Sequence, residues 1–134
     1  MASGSAARRV LVVDDEPDVV ELLRTILRGE GFDVEVDTEG RSALARLLAA
    51  PPDLLILDLM MPDLDGFELL KLLRMDPAGA EIPVVILSAR TGHQDQIEML
   101  QLGANVYLTK PFSPRELVGV VRELLGAPGD LGRA

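Results

Sequence analysis

Five short apolar runs punctuate the chain: VLVV at 10–13, FDVEV at 32–36, LLIL at 54–57, PVVIL at 83–87 and NVYLT at 105–109. Their starts lie 22 residues apart, except for one interval of 29. Each interval holds one strand, one helix and two short loops, the spacing of βα units rather than of hairpins. Helical patterns fill the gaps. Pro17 suits a first helical position, and Val19, Leu22, Leu23, Ile26 and Leu27 recur on one face until Gly29 and Gly31 end the run. Further helices are predicted over 41–49, 66–74, 94–102 and 114–125. Three runs are almost continuously apolar, as strands covered on both faces must be, whereas FDVEV alternates like an edge strand. The pattern predicts an α/β fold, a single doubly wound five-stranded parallel sheet with five helices on both faces. With the order 2-1-3-4-5, strands one and three meet at the topological switch point, where such folds bind ligands at the carboxyl ends of the strands.

The residues at those ends are polar. Asp14 and Asp15 follow strand one, Asp58 follows strand three, Ser88 strand four and Lys110 strand five, while the edge strand delivers nothing of obvious use. Three converging carboxylates repel one another unless a cation sits among them or some are protonated. Oxygen donors without His or Cys indicate a hard cation, Mg²⁺ with Mn²⁺ as a substitute, and disfavour zinc. Singly, each residue has a plainer account. Asp14, Asp15 and Glu16 suit a helix N-terminus, Asp58 opens the turn-rich MPDLDG, Ser88 could cap a helix and Lys110 could be solvated. Their joint arrival at four strand ends favours a site. Three carboxylates, one divalent cation and the Lys110 ammonium sum to zero charge, so such a rim can receive a phosphoryl group that an uncompensated one would repel.

Composition narrows the classes. The 134 residues predict one domain, with no room for a separate catalytic one. Net charge is −9, from 22 acidic against 13 basic residues, which disfavours direct nucleic-acid binding. There is no cysteine for a thiolate site. His93, the only histidine, is expected to be a solvated loop residue ahead of the fourth helix. With no apolar run long enough for a signal or a span, the expected location is cytoplasmic. Residues 1–8 read as a disordered leader, 9–126 as the folded domain and 127–134 as a flexible tail or linker.

VLVVDDEP, LLILDLMMPDLDGFELL, PVVILSA and GANVYLTKPF, in that order and spacing, resemble the response-regulator receiver domain of two-component signalling, the family that includes the single-domain chemotaxis regulator. The resemblance implies roles residue by residue. Asp58 matches the phosphoacceptor, with Asp14, Asp15, Asp58 and the Met60 backbone carbonyl as Mg²⁺ ligands. Ser88 matches the hydroxyl that bonds a phosphoryl oxygen, Lys110 the lysine that pairs with it, and Tyr107 the aromatic that reports activation. It also implies a cis Lys110–Pro111 bond. The implied donor is a phosphohistidine on a histidine kinase or histidine phosphotransfer protein, and the implied readout is the surface of helix four, strand five and helix five.

Two rivals are weighed. A haloacid-dehalogenase-type phosphatase wants an acid two residues after its nucleophile, and that position is Met60. An interaction module that is never phosphorylated would usually have lost one of the acids or the lysine, and all are retained. A dinucleotide site fails for lack of a glycine-rich loop after strand one. The chain is therefore not read as an enzyme, beyond assisting its own phosphorylation and slow dephosphorylation.

Output is less legible. YLTKPFSPREL resembles receivers attached to winged-helix DNA-binding domains, which often pair through helix four, strand five and helix five. Where those carry an interfacial acid and arginine, this chain has Val106 and Val120. Leu117, Val118, Val120, Val121, Leu124 and Leu125 span an arc of about 160° on the fifth helix, wider than the stripe of about 100° that core packing needs. That width suits a partner or a homodimer surface as well as a core. Met60 and Arg90, each two residues past a site residue, are positions that in the family modulate acyl-phosphate lifetime.

Overall fold

The computed structural model describes residues 7–89 and 92–126. The expected leader up to residue 6, the tail from 127 and Arg90 lie outside the described residues. The strands are β1 (Arg9–Val13), β2 (Asp33–Asp37), β3 (Leu54–Asp58), β4 (Val84–Ser88) and β5 (Val106–Thr109). Between and after them come α1 (Pro17–Gly29), α2 (Gly40–Ala49), α3 (Gly66–Met75), α4 (His93–Gln101) and α5 (Pro114–Leu125), with a short 3-10 turn over Pro77–Gly79. All strand pairs are parallel and the order is β2-β1-β3-β4-β5. The α/β sheet expected from the apolar pattern is the one observed.

The period of two along each strand sorts the core into two layers. Val10 and Val12, Leu54 and Ile56, Val85 and Leu87 join Val20, Leu23, Leu27, Leu117, Val121 and Leu125 on the α1/α5 side. Leu11 and Val13, Leu55 and Leu57, Val84 and Ile86 join Ala43, Leu47, Leu69, Leu70, Leu73 and Met99 on the side of α2, α3 and α4. β3 and β4 are buried at every position, whereas β2 exposes Asp33 and Glu35 as an edge strand should. Burying one such Leu or Val contributes about 1.5–3 kcal/mol, so two filled layers hold the sheet flat-on between its helices.

Several boundaries differ from expectation. Asp58 and Ser88 are the last residues of their strands rather than the first beyond them, paired in register with Leu87 and Thr109. His93 is exposed, but it opens α4 instead of preceding it, because Gly92 takes the extended backbone of the helix cap. Leu22, placed on the buried face of α1 by periodicity, is 53% exposed. On α5 the wide arc is divided: Leu117, Val121 and Leu125 are buried, and Val118, Val120 and Leu124 pack half-buried against the same layer.

Candidate functional site

The carboxyl ends of β1, β3 and β5 bring residues far apart in sequence into contact. Asp14, just past β1, is 1% exposed. Its carboxylate accepts the Glu16 backbone N–H at 3.0 Å and the Lys110 Nζ at 2.9 Å. Asp58 is 5% exposed, and its Oδ1 accepts the Met60 N–H at 3.3 Å. Lys110 Nζ also stands 3.8 Å from Asp58 Oδ1 and 3.6 Å from Glu16 Oε1. One carboxylate oxygen from each of Asp14, Asp15 and Asp58 lies within 4.8 Å of the others, with Asp15 the exposed member. The alternation of the strands accounts for the grouping: Asp14, Asp58 and Lys110 continue the parity of the α1/α5 layer.

Ser88 is fully buried, and its backbone carbonyl accepts the Lys110 N–H at 2.7 Å. Tyr107, opposite Ile86 in the ladder, packs half-buried on the α2–α4 side. Met60 is 54% exposed at the mouth of the site, and the Lys110–Pro111 bond is cis.

The loop from β3 to α3 is held tightly. Gly66 N–H donates to the Leu59 carbonyl at 2.9 Å, and a Cβ on Gly66 would sit 2.8 Å from Leu59 Cα and 2.9 Å from the Asp58 carbonyl oxygen. Only glycine lets α3 begin against the end of β3. Asp65 caps that helix by accepting the Glu68 N–H at 3.0 Å.

The electrostatics leave a deficit of positive charge. Burial first, and then the charge of Asp14, push the Asp58 carboxyl up to about 7, although Lys110 and the Met60 N–H pull it down. Burial works against the Lys110 charge, but the hydrogen bond and charge of Asp14, with Asp58 and Glu16, outweigh it and raise its pKa above the ordinary lysine value. One ammonium thus serves several acids. An all-oxygen cluster whose central carboxyl resists ionisation fits a hard divalent cation such as Mg²⁺, which would restore Asp58 to its charged form.

The structure therefore gathers Asp14, Asp15, Asp58 and Lys110, with Ser88 on the neighbouring strand end. Sequence reasoning missed Glu16 as an additional carboxylate facing Lys110, although DDEP contains it. It also dismissed the edge strand. Asp37, the last residue of β2, accepts the Asp14 N–H through its carbonyl at 3.2 Å, and its carboxylate accepts the Glu39 N–H and the Ser42 hydroxyl at 3.0 and 2.6 Å. The rule that found Asp58, an acid closing an apolar run, would have found Asp37.

Comparison with known proteins agrees with this geometry. The family model of the response regulator receiver domain matches residues 10–122. The DNA-binding response regulator MtrA of Mycolicibacterium smegmatis is 44% identical over 118 residues, covering 88% of this chain and 50% of that protein. This chain spans about half the length of the curated relatives it matches. Among solved structures, the chemotaxis response regulator CheY4 of Vibrio cholerae superposes with a TM-score of 0.83 at 32% identity, covering 88% of this chain and 98% of that one. The receiver domain of sensor histidine kinase PA1611 from Pseudomonas aeruginosa PAO1, solved with a magnesium ion coordinated in its active-site cleft, gives a TM-score of 0.83 at 28% identity over 90% of this chain and 99% of that one. No helix among the described residues is long and apolar enough to cross a membrane. With the fold, the acidic rim and the family match in agreement, the chain belongs to the response regulator receiver domain family.

Proposed function

We propose that this receiver takes a phosphoryl group onto Asp58 from a phosphohistidine on a histidine kinase or histidine phosphotransfer protein. The observation that carries this reading is the buried Asp58 carboxylate at the end of β3, which shares the Lys110 ammonium with Asp14. Asp58 attacks phosphorus in line: its oxygen forms the new O–P bond as the P–N bond of the donor breaks, and the electron pair returns to the imidazole. The product is an acyl phosphate. Asp14, Asp15, Asp58 and the Met60 carbonyl hold Mg²⁺, or Mn²⁺ in its place. The bound cation supplies neutralising charge for the transferring oxygens. Lys110 contributes the remaining positive charge, and the Ser88 hydroxyl orients a phosphoryl oxygen.

Transfer to this site alters the rim that β4 and β5 share, and with it the Ser88–Tyr107 pair and the surface of α4, β5 and α5. That surface exposes Ile97 and Leu100, 49% and 47%, which supports a partner or second-copy interface there. The greater length of the relatives, among them the DNA-binding response regulator MtrA, supports a DNA-binding output domain as one destination of the signal. Incubation with Mg²⁺ and acetyl phosphate, followed by intact mass, tests the reading. One added phosphoryl group on wild type and none on Asp58→Asn is expected. No addition with any donor, together with no Mg²⁺ binding, would leave an interaction module that is never phosphorylated.

A further inference from the structure

We infer that Asp63 is a positioning residue for the metal loop, acting by capping a helix that is not its own. The inference rests on the phosphoacceptor reading of Asp58 and deepens it. The α2 N-terminus has no local cap: Glu39 precedes it, and no side chain of Glu39 bonds its amides. Its first amides are satisfied from the loop after β3. Asp63 Oδ1 accepts the Gly40 N–H and Oδ2 accepts the Arg41 N–H, both at 3.0 Å. Those two amides hold the Asp63 carboxyl below the usual aspartate range.

A second contact locks the same junction. A Cβ on Gly40 would lie 2.5 Å from the Leu64 carbonyl oxygen and 3.0 Å from Leu64 Cβ, so the loop rests directly on the helix backbone. The loop between Asp58 and Gly66 is therefore pinned at two places, by Gly66 against β3 and by Asp63 against α2. Met60, whose N–H bonds Asp58 and whose carbonyl the proposed Mg²⁺ needs, lies between Leu59, which Gly66 holds, and Asp63. From α2 the chain of contacts returns through Asp37 to the Asp14 N–H, closing a ring around the acids. Removing the Asp63 carboxylate frees one side of the loop and lets the Met60 carbonyl wander from its ligand position. The role is distinct from that of an ordinary helix cap, whose loss costs stability and leaves a remote metal site untouched.

Three measurements on wild type, Asp63→Ala and Asp63→Asn decide it: amide hydrogen exchange at Gly40 and Arg41, calorimetric Mg²⁺ binding, and the rate of phosphorylation by acetyl phosphate. Asp63→Ala is expected to unprotect both amides and weaken Mg²⁺ binding by about 10-fold, the lower end for losing a group that orients a ligand. Asp63→Asn, which keeps one acceptor oxygen, should fall between, and it carries the comparison if the alanine variant does not fold. Gly40→Ala, which pushes on the loop from the helix side, should weaken Mg²⁺ binding in the same direction. Open amides with wild-type Mg²⁺ affinity would reduce Asp63 to a cap and overturn the inference, as would amides that stay protected. Wild type that fails to bind Mg²⁺ would overturn the phosphoacceptor reading as well, whereas wild-type binding with an indifferent Asp63→Ala overturns this inference alone.

Discussion

At the residue scale, Asp58 carries a conflict between burial and charge. Its folded pKa of about 7 lies above the ordinary 3.8, so the folded protein keeps a proton that the unfolded chain has already released between those values. Stability without Mg²⁺ should therefore be greatest below about pH 4 with respect to this group and fall as the pH rises through 7. Asp58→Asn removes the term. In chelator at pH 8 it should be more stable than wild type by on the order of 4 kcal/mol, and the gap should close as the pH falls toward 4; urea titrations along that pH series measure it. A wild type whose stability does not respond to pH in this window would show that Lys110 alone compensates the acids. Lys110 was legible as a cation aimed at Asp58. Its hydrogen bond to Asp14, across 96 residues of chain, and its approach to Glu16 were not, because contacts so distant in sequence depend on where the strand ends meet.

At the element scale, the junction of β3 with α3 is the tightest place near the acids. Gly66→Ala forces a methyl against the backbone of Asp58 and Leu59, neither of which can rotate away. The expected loss is about 2 kcal/mol, read as a lower urea midpoint, with Mg²⁺ affinity falling as the end of β3 shifts. An unchanged midpoint would mean that α3 can start further from the sheet than the contact implies. The helices themselves were readable from apolar spacing and from Pro17, and Ser113 with Glu116 marks the start of α5 as plainly, the serine oxygen accepting the Glu116 N–H at 3.0 Å. Cap residues acting between elements, such as Asp63 on α2, leave no local signature, since donor and acceptor lie 23 and 22 residues apart.

At the scale of the whole molecule, a net charge of −9 and an under-compensated acidic rim favour cations over anions, and the proposed Mg²⁺ site gives that preference a measurable consequence. Mg²⁺ at 100 times its dissociation constant should stabilise the folded state by about 2.7 kcal/mol, seen as a higher melting temperature that chelator reverses. In Asp58→Asn, which loses one ligand charge, the shift should be smaller at the same Mg²⁺ concentration. Equal shifts in both proteins would place the cation elsewhere on the acidic surface.

The alternation of apolar runs with helical stretches sufficed for the number of strands, their parallel pairing and the two covered faces, because burial on both sides of a sheet demands that pattern of any chain. It also sufficed to place Asp14, Asp15, Asp58, Ser88 and Lys110 at one rim, since in such a sheet the strand ends point one way. Tertiary structure decided how deeply each is buried, which acids share the Lys110 ammonium, and that α2 takes its N-terminal cap from the loop beside Asp58. Those properties arise from packing between elements distant in sequence: a carboxylate's desolvation and partners are set by what the folded chain lays against it, and neither is encoded at its own position.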